Sequence, residues 1–283
     1  MNDTEFSRQH ALIFVHIPKT AGSTLEQILL RQYRAAEMYP FIEGEDFKRA
    51  TELPLEQKTR YRLFQGHMPY GLHRYLKQPA YYLTLLRNPV QTALSSYFYF
   101  EMGYRRDVLH QDVSGMVPTV ADLKESKMRL MFDNLQTRHM SGKTWVKFGE
   151  CKEEMLEQAK TNLAHNCAVG LVERFDETVL SLAHIFGWRA PYYIKTNVSR
   201  TRLARDKIAP DVIEWLTEQN RFDVELYQYA QTLFDAQVKT LGARFGEMLT
   251  QYRSRNRLWG SSLDKVSRVK RKVSQVKFIG EFV

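Results

Sequence analysis

The 283-residue chain is 43% hydrophobic and 12% aromatic, enough for a substantial core in one large domain or two small ones, and too much for a disordered chain. Its net charge of +9 and pI of about 9.4 favour anionic partners: nucleotides, acidic glycans, nucleic acid or a membrane surface. Two cysteines, Cys151 and Cys167, with no C-x-x-C, exclude a disulfide framework and a structural zinc site, and point to a reducing compartment.

Residues 1–10 are polar and no apolar segment precedes the first strand, so the expected location is cytoplasmic, unless an anchor has been removed. Residues 11–17 are a nearly continuous apolar run, too short for a helix, which predicts a strand covered on both faces in a parallel sheet. Pro18 ends the ladder, and Gly22 lets the backbone turn and approach a ligand. Ser23 and Glu26 have the spacing of a capping box, with Leu25, Ile28 and Leu29 following at helical intervals, so a helix is predicted over 23–33.

Residues 37–58 read as a loop-rich insertion with a short helix, 62–67 as a short strand, 68–71 as a turn and 72–76 as one helical turn. A second strand-to-helix junction follows: a strand over 81–86, then Arg87-Asn88-Pro89, then a helix over 90–100 with Pro89 at its first position. A flexible loop is expected over 104–120 and helices over 123–139 and 151–163. Residues 168–172 are another buried strand, and 176–186 a helix stopped by Gly187. Residues 192–209 are polar and without period, 211–244 are one or two helices, and 253–277 are rich in Lys and Arg. Strands alternating with helices predict an α/β fold with a parallel sheet.

The loop 18–24 has the makings of an anion site. Backbone N–H groups and the positive end of a helix converge there, Lys19 adds a charge, and Thr20, Ser23 and Thr24 add hydroxyls. A phosphate is the expected guest. A nucleotide-triphosphate loop of the G-x-x-x-x-G-K-[ST] type places its lysine after the last glycine, whereas here Lys19 precedes Gly22, which weakens the ATP-dependent kinase reading.

The run His16-Ile17-Pro18-Lys19-Thr20-Ala21-Gly22-Ser23-Thr24 resembles the 5′-phosphosulfate loop of sulfotransferases, in the carbohydrate branch that includes the heparan sulfate 2-O-sulfotransferases. Leu85-Leu86-Arg87-Asn88-Pro89 with Ser95, eight residues past Arg87, resembles the signature that binds the 3′-phosphate in that family. The resemblance spans about 12–229. It implies a three-layer α/β sandwich with a central parallel sheet, related to P-loop kinases, over 1–250, with 251–283 as a basic extension. It implies the donor 3′-phosphoadenosine 5′-phosphosulfate (product 3′-phosphoadenosine 5′-phosphate), no metal, and a hydroxyl acceptor, most naturally a carbohydrate.

Under that resemblance Lys19, Thr20, Ala21, Gly22, Ser23 and Thr24 hold the 5′ side, Arg87 and Ser95 hold the 3′-phosphate, and Lys19 also stabilises the leaving oxygen. Gln65-Gly66-His67 resembles the family's His-Gly-His segment, departing from it at Gln65, which makes His67 the candidate general base and His73 the second choice. His16 is read as structural, and Glu101 and Glu173 as alternative bases. Gln136 or Arg138 is expected to face the acceptor, and 197–200 to close over the 3′ side of the donor. The basic tail is expected to contact a membrane surface weakly, if it has a partner at all. A nucleic-acid-binding module is the non-enzymatic alternative; it gives Lys19 and Arg87 no shared purpose, and no nucleic-acid partner is expected.

Overall fold

The computed structural model describes residues 10–39, 46–113, 115–194 and 207–260. Four strands form one parallel sheet: β1 (Ala11–Val15), β2 (Leu63–Gly66), β3 (Ala80–Leu86) and β4 (Cys167–Leu171), in the order β2-β1-β3-β4. Each predicted strand is present. β1 ends at Val15, opposite Gly66 of β2 and Thr84 of β3, so Ile17 and Pro18 belong to the loop.

Both faces of the sheet are covered, as a continuous apolar run requires. Ala11, Ile13 and Val15 join one core with Phe64, Tyr82, Leu86 and Val169. Leu12 and Phe14 join the opposite core with Leu63, Leu83, Leu85 and Ala168. The helices in chain order are α1 (Gly22–Leu29), α2 (Asp46–Glu52), α3 (Leu55–Lys58), α4 (Pro89–Ser96), α5 (Met102–Asp107), α6 (Val120–Glu125), α7 (Leu135–Ser141), α8 (Glu153–Ala164), α9 (Phe175–Phe186), α10 (Pro210–Gln219) and α11 (Arg221–Lys239). α1 and α9 pack on one face of the sheet, α8 and α11 on the other, giving three layers. A smaller core joins α4, α6 and α10 through Val90, Ala93, Leu94, Leu123, Val212 and Leu216.

Several predicted boundaries move. The helix expected over 23–33 ends at Leu29. The helix expected over 123–139 is broken, because Asn134 takes a left-handed conformation (φ 49°) and its Oδ1 accepts from the N–H groups of Phe222 (3.0 Å) and Asp223 (3.2 Å). Part of the loop expected over 104–120 is helical, as α5 and the start of α6. The helix after Pro89 is α-helical only to Ser96 and continues as a π-helical turn, Tyr97–Glu101. Glu101 secures that turn by accepting from Arg105 Nε (3.0 Å) and Ser126 Oγ (2.7 Å). The stretch 211–244 holds two helices, parted at Asn220.

Residues 245–260 are helical; Tyr252 is buried there and donates to the Pro191 carbonyl at 3.0 Å. The expected donor-closing loop 197–200 and the tail after 260 lie outside the described residues. Among the described residues no helix is long and apolar enough to cross a membrane.

The topology places the site. From β1 the chain moves to β2 on one side, then crosses to β3 on the other. The carboxyl ends of β1 and β3 therefore flank a switch point, where open α/β sheets bind ligands.

Candidate active site

Lys19 lies four residues past β1, and His67 and Arg87 directly follow β2 and β3, so three adjacent strands deliver these residues from their carboxyl ends to one edge of the sheet. Two left-handed residues shape the first loop, Lys19 (φ 67°) and Ala21 (φ 61°). Ala21 opens α1, and the N–H groups of Ala21, Gly22 and Ser23 have no backbone carbonyl partner among the described residues. They are the orphan donors of a helix start. The loop is braced from within: Thr20 is buried and its hydroxyl donates to the Ile17 carbonyl at 2.8 Å, so Thr20 offers a ligand its backbone rather than its hydroxyl. Ser23 lies half-buried in the first turn of α1 and Thr24 is buried beside it.

The expected capping box is absent. Ala21, not Ser23, is the N-cap, and Glu26 turns away to accept from His16 Nδ1 at 2.9 Å. Burial raises the Glu26 carboxyl, but the His16 hydrogen bond and the nearby His16 and His67 charges carry it below its ordinary value overall. Gly22 has a different task from the one expected. Its φ is not left-handed; a Cβ there would lie 1.9 Å from Cδ2 and Nε2 of His16, so glycine makes room for that imidazole under the loop.

His16 is buried and orients His67. Its carbonyl accepts from His67 Nδ1 at 2.8 Å, and the two rings lie 4.3 Å apart. With the Nδ1 proton given to that carbonyl, the lone pair of His67 sits on Nε2, the tautomer a general base needs. His73 is in the opposite state. The Tyr82 hydroxyl accepts from the N–H groups of Gly71 and His73 (3.1 Å each) and so donates to His73 Nδ1 at 2.7 Å, leaving the proton of His73 on Nε2. His73 thus orders the turn after β2.

The alternative carboxylate bases are also committed. Glu101 holds the π turn, and Glu173 accepts from the Asn88 N–H (3.0 Å) and the Tyr227 hydroxyl (2.8 Å).

Arg87 is half-buried and donates from Nη1 to the Lys19 carbonyl at 3.0 Å, tying the two junctions together. Its backbone is clamped by the buried Gln136, whose Oε1 accepts from the Arg87 N–H (2.9 Å) while Nε2 donates to the Arg87 carbonyl (2.8 Å). Gln136 therefore does not face an acceptor. Neither does Arg138, which is 2% exposed, is paired with Asp133, and donates to the carbonyls of Val146 and Lys147. Ser95 is half-buried on α4, and its hydroxyl makes no hydrogen bond among the described residues.

Two residues enter the site that the sequence did not mark. Tyr99, on the π turn, holds its ring centroid 3.6 Å from Lys19 Nζ. Burial, with the charge of Arg87, brings the Lys19 ammonium down to about 8. The run Tyr97-Phe98-Tyr99-Phe100 was the available signal, since an aromatic run leaving a helix has faces to spare. His139 lies buried on α7, its Nδ1 donating to the Leu135 carbonyl at 2.8 Å. Burial first, and the His67, His16 and Arg138 charges after it, push its imidazole to about 4, so it stays neutral beside the other two. Among the described residues no group of His, Cys, Asp or Glu side chains is arranged to hold a metal ion.

The arrangement fits a ligand with separated anionic groups: orphan amides and Lys19 at one junction, Arg87 at the next, and an oriented imidazole on the far side. The profile of the sulfotransferase family matches residues 2–230 of the chain. Heparan-sulfate 6-O-sulfotransferase 2 of Danio rerio is 28% identical over 180 residues, covering 54% of this chain and 38% of that protein. Heparan-sulfate 6-O-sulfotransferase 3-B of Danio rerio is 23% identical over 286 residues, covering 82% of this chain and 65% of that protein. The Mus musculus heparan-sulfate 6-O-sulfotransferase 3 is 23% identical over 281 residues, with 82% and 59% covered. The chain thus spans between 38% and 65% of the length of these relatives.

Proposed function

Given that this chain belongs to the sulfotransferase family, we propose that it transfers a sulfuryl group from 3′-phosphoadenosine 5′-phosphosulfate to a hydroxyl of a carbohydrate. The observation that carries this reading is the delivery of His67, Lys19 and Arg87 to one sheet edge by three adjacent strands, with Arg87 bonded to the Lys19 carbonyl and His67 to the His16 carbonyl. The carbohydrate acceptor is supported by relatives named for heparan sulfate.

When bound, the donor supplies a sulfuryl group on an activated phosphate oxygen. The amides of Ala21, Gly22 and Ser23 would hold the 5′-phosphate, and the Arg87 guanidinium would bind the 3′-phosphate. Ser95, two helical turns into α4, adds a hydroxyl on that side. Lys19 places its ammonium on the oxygen where charge develops as the sulfur–oxygen bond breaks. His67 Nε2 takes the proton of the acceptor hydroxyl as the new oxygen–sulfur bond forms. His16 acts only through its carbonyl and ring, fixing the His67 tautomer and orientation.

The test is transfer of labelled sulfate from the donor to desulfated heparan sulfate by wild type, Lys19→Ala and His67→Ala. His67→Ala is expected to lose about 10²–10⁴-fold in kcat with donor binding intact, the usual range for a lost general base. A His67→Ala variant as fast as wild type would remove the proposed base; a folded wild type that labels no carbohydrate would remove the acceptor class.

A further inference from the structure

The loop from α7 to α8 presents Trp145 at 74% exposure, the most exposed of the large hydrophobic side chains in the described residues. Lys143, Trp145 and Lys147 are exposed while Thr144, Val146 and Phe148 are half-buried, on a segment of successive turns and a bend. The segment 143–152 carries Lys143, Lys147 and Lys152 against one acid, Glu150, and Arg129 adds its guanidinium 5.4 Å from the Phe148 ring.

This loop is held firmly. The Lys143 N–H donates to the Arg138 carbonyl (3.0 Å), and the buried Arg138 guanidinium grips the carbonyls of Val146 and Lys147 (2.9 Å for the second). Gly149 N–H donates to Asp133 Oδ2 at 2.8 Å, and Val146 packs on the main core. A large apolar ring displayed on a braced backbone loses little entropy on binding, which is how preorganised binding surfaces work.

The loop also adjoins the base. Tyr70, three residues after His67, donates its N–H to the His139 carbonyl at 2.8 Å, and a Cβ on Gly142 would lie 2.7 Å from the Tyr70 carbonyl oxygen. Three residues on either side of that junction, at no more than ~3.5 Å each, put Trp145 within about 25 Å of His67. That is the reach of an extended oligosaccharide.

We propose that the exposed Lys143, Trp145 and Lys147 of this braced loop, with Arg129 beside it, form a second acceptor-binding site, where an acidic glycan engaged at His67 lays a sugar ring on the Trp145 indole and its carboxylate or sulfate groups against the three cations. This rests on the carbohydrate-sulfotransfer reading. An indole takes the apolar C–H face of a sugar ring, and the flanking cations select a glycan that carries acid groups. The site governs the choice of long over short acceptors and takes no part in donor binding.

The experiment compares a heparan sulfate disaccharide with a dodecasaccharide, as acceptors and as calorimetric ligands in saturating 3′-phosphoadenosine 5′-phosphate. Trp145→Ala is expected to raise KM for the dodecasaccharide about tenfold, the effect of one lost aromatic contact, and to leave the disaccharide KM, kcat and donor affinity unchanged. Trp145→Phe recovers most of the loss, and Lys143→Ala with Lys147→Ala flattens the salt dependence of dodecasaccharide binding. A dodecasaccharide KM unchanged in Trp145→Ala, or an equal-fold rise for both lengths, overturns the second site while leaving the reaction standing. The same holds if Trp145→Ala releases the protein from anionic vesicles with glycan binding intact. Wild type that sulfates neither length while binding the donor product overturns the carbohydrate reading itself, and this site with it.

Discussion

Replacing Gly22 with alanine tests how the loop after β1 and the His16–His67 pair are built on one another. The added Cβ would lie 1.9 Å from two His16 ring atoms and 2.6 Å from a third. Carbon contacts settle at about 3.5–4.0 Å, so the ring must move by about 1.5 Å or more. It has little room: His16 stacks on Phe14 at 5.4 Å, lies tilted against His67 at 4.3 Å, and bonds Glu26 at 2.9 Å. Overpacking of this kind costs about 1–3 kcal/mol, and a lost hydrogen bond to an ionised group about 1.5–3. Water reaches the half-buried Glu26 and offsets part of the second cost, so the expected loss is about 3 kcal/mol in all. Urea unfolding of wild type, Gly22→Ala, His16→Ala and the double variant measures it. The double variant should be no less stable than His16→Ala alone, because trimming the ring removes the collision. Stability losses that add within about 0.5 kcal/mol, or a Gly22→Ala protein as stable as wild type, would refute the account of Gly22.

Further outcomes follow from the same site. Lys19 carries its charge below about pH 8, so kcat/KM for the donor in the free enzyme should fall as pH rises through about 8, and a profile flat to pH 9.5 would contradict that. Tyr99→Leu keeps the cover over Lys19 but loses the π face worth about 0.5–1 kcal/mol, which should move the alkaline limb to lower pH, whereas Tyr99→Phe should leave it in place; identical limbs in the two variants would remove Tyr99 from the site. The His139 imidazole sits at about 4 against an ordinary 6.5. The unfolded chain therefore takes up a proton that the fold refuses: stability is full above pH 6.5 and falls as the pH drops towards 4, by about 3 kcal/mol at 1.36 per unit. Urea midpoints at pH 7 and pH 4.5 should show that loss in wild type and not in His139→Met, and an equal loss in both would assign it elsewhere.

The strand-to-helix junctions at Lys19 and Arg87 were legible because they are written locally: an apolar run, a breaker, then helical spacing. What failed was whatever depends on a distant partner. Glu26 has the spacing of a capping box, yet His16 claims its carboxylate. Gln136 and Arg138 read as polar residues on a helix near the site; one clamps the backbone of Arg87 and the other braces the loop beyond α7, contacts that nothing in their neighbourhood encodes. Asn134 breaks a helix for the sake of amides 88 and 89 residues away. His67 and His73 differ through two hydrogen bonds that their sequence does not show, one to a backbone carbonyl and one from a phenol, which fix opposite tautomers.

Calorimetric titration of 3′-phosphoadenosine 5′-phosphate, without metal, into wild type, Lys19→Ala and Arg87→Ala tests the central claim most directly. Tight binding by wild type, weakened at least tenfold in each variant, or about 1.4 kcal/mol, is the expected result. Failure of a folded wild type to bind, or binding unchanged in both variants, would contradict a donor site built from the ends of β1 and β3.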